Sequence, residues 1–448
     1  MQENPYVLSA DAAKEPPKSL REMIRYLGPG LILSASIVGS GELIATTALG
    51  AKAGFVTLWV ILVSCLVKVA IQLEFGRHSI TTGETTMLAL NRLPGPRLGK
   101  ANWSVWVWLL LMIVKNLQLG GIIGTVALVL LMLFPGASIG WILFFLAVSV
   151  SLLVSLGYYR LIEGVSIVMI GLFTLLTLAS LLMLQFTDNA ITWENLQEGL
   201  SFHLPQAALY VAIGAFGITG VGGDEIMVYN YWLIEKGYAR HAGPDDGTDA
   251  WANRAQGWIR IMYFDALLSM VVYTVVTAVF YLLGAAILHA KGLNPEGAEI
   301  VQTLSLLYTE TLGESARYVF LLGAFVVLYS TLFAALAAWS RLFGDALSQI
   351  GLYDFQNPTH RRRAIAAFAW CFPAIWCALY VAFTAPAFMV IVGGIITTVI
   401  LLLVVYAAIY FRFRRRNPKL KTGWFYEVAF WISVLSIVMA AVKALGIV

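Results

Sequence analysis

Leu31-Ile-Leu-Ser-Ala-Ser-Ile-Val38 runs apolar into Gly39-Ser40-Gly41-Glu42, and apolar sequence resumes at Leu43-Ile-Ala-Thr-Thr-Ala-Leu49. Further on, Ala212-Ile-Gly-Ala-Phe-Gly-Ile-Thr-Gly-Val221 meets Gly222-Gly223-Asp224-Glu225 and continues as Ile226-Met-Val-Tyr229. A bilayer needs about 20 consecutive apolar residues, so no half of either stretch crosses alone. Glycine removes the steric bar to non-helical backbone. A carboxylate at mid-bilayer costs ~3 kcal/mol on insertion scales, so it is kept there for a purpose. One Gly-x-Gly by itself reads as a close-packing helix face. Two such stretches, each carrying acid, favour a binding site built on two broken helices.

The surrounding chain is membrane-like. It has 448 residues, of which 60% are hydrophobic and 12% charged, with a mean hydropathy of +0.81. Soluble domains carry about twice that charged share. An ordinary cytosolic enzyme, a disulfide scaffold and a disordered chain are excluded, and an all-α polytopic membrane protein remains. Apolar runs of spanning length fall at residues 28–53, 56–76, 104–134, 138–156, 161–186, 206–233, 261–288, 316–347, 364–384, 386–411 and 424–446, which predicts eleven transmembrane helices. Continuous runs exclude a porin-like barrel. With the N-terminus in the cytoplasm, only Lys52, Lys291, Arg317 and Lys443 face outside. Lys68 and Lys115 fall within spans, and the rest of the 29 lysines and arginines lie inside. The predicted place is therefore the plasma (inner) membrane, with the C-terminus outside. Basic clusters at 361–363 and 412–416 read first as orientation signals.

The breaks fall in the first and sixth spans, and five spans begin with each. That points to two inverted repeats, 28–186 and 206–411. A cytoplasmic tail (1–27) precedes them, an extracellular loop (187–205) joins them, and a basic loop with the eleventh helix (412–448) follows. Residues 1–25 lack the apolar core of a signal peptide. Cys65, Cys371 and Cys377 lie in apolar stretches and read as small hydrophobes.

Several motifs resemble the Nramp family of proton-coupled divalent metal transporters. They are Gly28-Pro29-Gly30, Gly50-Ala-Lys-Ala-Gly54-Phe55, Leu58-Trp59-Val60-Ile61-Leu62, Thr82-Gly83-Glu84, Tyr159-Arg160-Leu161 and Ala212-Ile-Gly-Ala-Phe-Gly217. The resemblance covers most of the chain and implies a LeuT-type 5+5 fold with helices 1 and 6 broken. It also implies a transporter rather than an enzyme, with no cofactor. The site departs from the family. Where Nramp proteins carry Asp-Pro-Gly-Asn, this chain reads Gly39-Ser40-Gly41-Glu42. Where they carry Met-Pro-His-Asn, it reads Gly222-Gly223-Asp224-Glu225. The family's acidic pair on the third span is absent, and Lys115, Asn116 and Gln118 occupy that region.

Two substrates fit these residues. One is a hard divalent cation on Glu42, Asp224 and Glu225, helped by Ser40, Thr219 and freed carbonyls. Without thioether sulfur the set suits Mg²⁺ or Mn²⁺ better than a soft metal. The other is a small organic solute such as an amino acid, its carboxylate on free amides of the first break and its ammonium on an acid. The substrate-binding candidates are Gly39, Ser40, Gly41, Glu42, Thr219, Gly222, Gly223, Asp224 and Glu225. Lys68 and Lys115 are candidates for coupling or for ion pairs, with Glu74 or Glu163 as possible partners. One of Asp224 and Glu225 is expected to reach the substrate and the other to pair with Lys68, Lys115 or a hydroxyl. Gly39 is expected to keep the cavity open, so that Gly39→Leu blocks transport with the fold intact. A non-transporting sensor is a weaker reading, with no soluble domain to support it. The partners are a small ion or molecule and the bilayer, without nucleic acid; a monomer suffices.

Overall fold

In hydrocarbon a backbone must satisfy its own polar groups, so long apolar runs fold as helices. The computed structural model describes residues 4–30, 39, 41–156 and 159–446, with backbone alone over 159–170. A π-helical turn, Gly41–Thr46, leads into α1 (Thr47–Ala53). Then come α2 (Leu58–Thr82), α3 (Trp103–Leu133), α4 (Ile139–Leu156), α5 (Tyr159–Leu184), α6 (Leu209–Ile218) and α7 (Gly223–Lys236). The rest are α8 (Asp249–Leu283), α9 (Ile300–Leu312), α10 (Ala316–Ile350), α11 (Pro358–Phe383), α12 (Pro386–Arg414) and α13 (Trp424–Ala444). Strand is confined, among the described residues, to a two-stranded antiparallel ribbon, Arg97–Leu98 with Ala101–Asn102, just before α3.

Eleven spans were expected, and nine segments among the described residues are long and apolar enough to cross a membrane. The difference lies in the first and fifth. Residues 31–38 and Ser40 of the first lie outside the described residues. The fifth is helical as α5, but its side chains are described only from Gly171 onward.

Burial sorts the helices. The α6–α7 segment is 89% buried over its most apolar stretch, whereas α4 and α13 are 22% buried over theirs. α4 turns Trp141, Phe144, Phe145 and Leu156 outward, and α13 does the same with Phe425, Ile432, Leu435 and Met439. Such apolar faces suit lipid. α12 packs on both α3 and α6, and α8 on α2. The α6–α12 approach is close: a Cβ on Gly217 would sit 1.9 Å from Gly394 O. Small residues let the backbones meet there.

Polar clamps fix one end of the bundle. Arg412 donates to Glu74 Oε2 (2.8 Å) and pairs with Glu427, joining α12 to α2 and α13. Glu74 is thereby taken and is not the partner of Lys68. Arg415 and Arg92 both reach Glu84, which His78 also contacts at 3.0 Å. The basic 412–416 cluster thus makes structural ion pairs.

The N-terminal tail is tied down. Tyr6 is buried, and its hydroxyl donates to Glu235 Oε1 (2.6 Å), which Arg341 also binds. Asn4 bonds Gln356 O at 2.8 Å. Lys14 N–H donates to His241 O (2.9 Å), and Trp258 Nε1 donates to Lys14 O (2.9 Å). Residues 4–16 therefore strap the ends of α7, α8 and α10 together.

Candidate functional site

The sixth span breaks earlier than its Gly-Gly pair suggests. α6 ends at Ile218, Thr219 is extended, and Gly220 takes φ +63°, a left-handed conformation open to glycine. Gly222 caps α7, so Asp224 and Glu225 are already helical, in its first turn. There the partial positive charge of the helix N-terminus favours carboxylates.

The opposite end, the C-terminus of α6, leaves carbonyls free. Lys68 from α2 donates to Phe216 O (2.7 Å) and to Thr219 O, and its Nζ lies 5.2 Å from the Phe216 ring centre. Ser64, one turn earlier, places Oγ 2.9 Å from Phe216 O and 2.7 Å from Thr219 Oγ1. Lys68 thus acts as a cationic cap on a half-helix. The Glu163 side chain lies outside the described residues, so that pairing is not seen.

Glu42 is fully buried and turned toward Gly39 and α8. Its Oε2 accepts from Gly39 N–H (3.1 Å) and its Oε1 from Thr277 Oγ1 of α8 (3.1 Å). Ser40 lies outside the described residues. Gly41 and the end of α6 touch: a Cβ on Gly41 would stand 3.2 Å from Ile218 O. Gly39 abuts α10, where a Cβ would fall 1.8 Å from Thr331 Oγ1. That corrects the expectation for Gly39→Leu, which would force α10 away rather than merely fill a cavity.

Asp224 pairs as the charge argument required. Lys115 of α3 donates to Oδ1, and Trp339 Nε1 of α10 donates to Oδ2 at 2.9 Å. Glu225 Oε2 is buried with no hydrogen-bond partner. It lies against Gly222, whose missing Cβ would stand 2.3 Å from it. The side-chain oxygen of Gln118 is likewise buried and unpartnered. Lys115, Gln118, Asp224, Glu225, Thr331 and Trp339, with Gly41, line one cavity of about 20 Å³, room for one water-sized particle. Thr219 and Gly223 do not line it; Gly223 packs on Ile400 instead. Asn116 accepts from Trp376 Nε1 (2.9 Å) and so binds α3 to α11.

The structure therefore gathers the two α7 acids with Lys115 and leaves Glu42 in a neighbouring polar group with Thr277. Among the described residues, no three His, Cys, Asp or Glu side chains come together as a metal-holding set. Sequence reasoning missed Thr331, Trp339 and Thr277. Thr331, Ala335 and Trp339 are spaced by four, one face of α10; two polar side chains eight apart on one face of an apolar span were the available signal.

Comparison with known proteins agrees with this architecture. The family model for natural resistance-associated macrophage protein-like proteins, Nramp, matches residues 30–446. The chain is 26% identical over 363 residues to a divalent metal cation transporter, MntH, of Brucella suis, covering 79% of this chain and 73% of that one. It is 25% identical to MntH of a Nostoc species, covering 79% and 75%. A crystal structure of the Eremococcus coleocola manganese transporter superposes with a TM-score of 0.69 at 15% identity, covering 98% of this chain and 90% of that one. Mhp1, a nucleobase-cation-symport-1 family transporter, shares the fold at a TM-score of 0.53 and 12% identity, covering 98% and 95%. These matches and the helical architecture agree: the chain belongs to the Nramp family of membrane transporters.

Proposed function

We propose that this protein is a secondary active transporter of the inner membrane that works by alternating access and carries a hard divalent cation, Mg²⁺ or Mn²⁺ in preference to soft metals. One observation carries the reading. Beside the Lys115 ammonium and the Trp339 indole, the cavity's possible cation ligands are carboxylate, amide and hydroxyl oxygens, with no sulfur and no imidazole, and it has room for a single small particle. Oxygen ligands suit hard cations. The two inverted repeats, 28–186 and 206–411, would rock about these breaks. The MntH relatives transport divalent metal cations by name, which supports the substrate class.

The proton is the candidate coupling ion, by way of Glu42, Asp224 or Lys68, since the family's acid pair on the third span is missing. A second reading, a small amine-bearing solute, draws support from Lys115: an ammonium group already sits on Asp224.

Uptake into proteoliposomes separates the two. Mn²⁺ and Mg²⁺ should enter, an inward proton gradient should speed them, and an amino-acid panel should not compete. Competition by an amino acid without metal uptake would replace the first reading with the second. Glu42→Gln should weaken uptake strongly, and only one of Asp224→Asn and Glu225→Gln should do so.

A further inference from the structure

We propose that Lys115 is a built-in competitor of the transported cation: its ammonium group holds the Asp224 carboxylate in this state, and an entering cation must displace it. This rests on the divalent-cation reading and names how the site is regulated.

The cavity contains two unlike sides. On one, Lys115 Nζ donates to Asp224 Oδ1 while Trp339 Nε1 fixes Oδ2 at 2.9 Å. That carboxylate is fully partnered. On the other, Glu225 Oε2 and the Gln118 oxygen have no donor at all, and Gln118 is only 7% exposed. Buried acceptors without donors are costly and rare. Both side chains border a space large enough for one water-sized particle. A cation seated there would have these two side chains beside it and Asp224 as the other carboxylate of the lining.

Lys115 is the obstacle. Two positive charges on one carboxylate repel each other strongly in a site shielded from water, where like-charge contact costs several kcal/mol. Lysine is also suited to leaving: its charge sits on a flexible four-carbon stem. Its Nζ already lies 5.9 Å from the centre of the Trp339 ring, an aromatic face able to receive an ammonium group. In an empty transporter Lys115 thus neutralises one α7 acid. In a loaded one the substrate does. The lysine sets a threshold that a divalent ion passes more readily than a monovalent one.

Titration calorimetry of the purified full-length protein with Mn²⁺ tests this. Lys115→Met and Lys115→Gln should each tighten Mn²⁺ binding at least about tenfold, because the competing charge is gone. Glutamine leaves Asp224 a neutral donor, so it guards against simple misfolding. Lys115→Arg should bind like wild type. Adding Asp224→Asn to Lys115→Met should abolish the gain. Unchanged or weaker binding in both neutral variants would overturn the proposal, as would a gain that survives Asp224→Asn. If wild type takes up Mn²⁺ in proteoliposomes yet the neutral variants gain nothing, only this inference falls. If neither wild type nor variants bind or carry Mn²⁺, the divalent-cation reading falls with it.

Discussion

Gly39 and Lys68 show two ways a single residue shapes the centre of this protein. Gly39 is defined by what it lacks: a Cβ there would collide with Thr331 Oγ1. Overpacking of a filled core costs about 1–3 kcal/mol. Gly39→Ala should destabilise the fold by that amount, read as a lower thermal unfolding midpoint in detergent, and Thr331→Ala in the same chain should restore most of it. A double variant no better than the single one would mean the clash is not with Thr331. Lys68 is defined by what it supplies, a charged cap on the Phe216 and Thr219 carbonyls. Lys68→Met keeps the packing volume but removes those bonds. A loss of about 2 kcal/mol is expected from hydrogen bonds to a charged group, read as a lower unfolding midpoint. An unchanged midpoint would show that Ser64 alone suffices. The sequence marked both residues, since a glycine beside acid and a lysine inside an apolar run are conspicuous. Their partners were hidden, because Thr331 and the α6 carbonyls become neighbours only through long-range packing.

At the scale of elements, the sixth span was legible as broken but not where. Gly222-Gly223 drew attention, yet the turn is made by Thr219 to Gly222, with the positive φ at Gly220. Two glycines in a row look like the weakest point of a helix. The carbonyl cap from Ser64 and Lys68, which ends α6 earlier, carries no local sequence mark. The end of α2 follows a rule that is easier to read, an acid among bases. Burial pushes the Glu84 carboxyl up, but the His78 hydrogen bond and the charges of Arg415 and Arg92 prevail and hold it at about 2, below its ordinary 4.5. A group whose pKa is depressed by folding stabilises the fold fully above its unfolded pKa. That contribution should be flat at neutral pH and fade as pH falls from about 4.5 toward 2. Unfolding midpoints across this acid range should drop more steeply for wild type than for Glu84→Gln. Parallel curves would show that Glu84 contributes nothing through ionisation.

The whole molecule is arranged as a buried centre with expendable-looking edges. Its composition announced a helical membrane protein before any contact was known, because that depends only on totals. The tail was less legible. Residues 4–16 were expected only as part of a tail, and they bind α7, α8 and α10 through Tyr6, Lys14 and their partners. Such contacts rest on one tyrosine and a few backbone bonds, without periodicity to betray them. Tyr6→Ala should free this segment while the bundle stays folded, since local opening is far easier than global unfolding. Trypsin should then cleave after Lys14 and Lys18 much faster than in wild type. Equal cleavage rates would mean the strap is held elsewhere.

The order of synthesis gives one contact a further meaning. Asp265 of α8 accepts hydrogen bonds from the backbone N–H groups of Gly28 and Gly30, at the mouth of the first span. The two sides of this clasp are 237 residues apart in the chain. A ribosome working at about 5–20 residues per second needs on the order of 10–50 s to reach the second after making the first. During that interval the Gly28 and Gly30 amides lack this partner. In nascent chains stalled before residue 265, these two amides should exchange their hydrogens freely. In chains stalled well past α8 they should be protected.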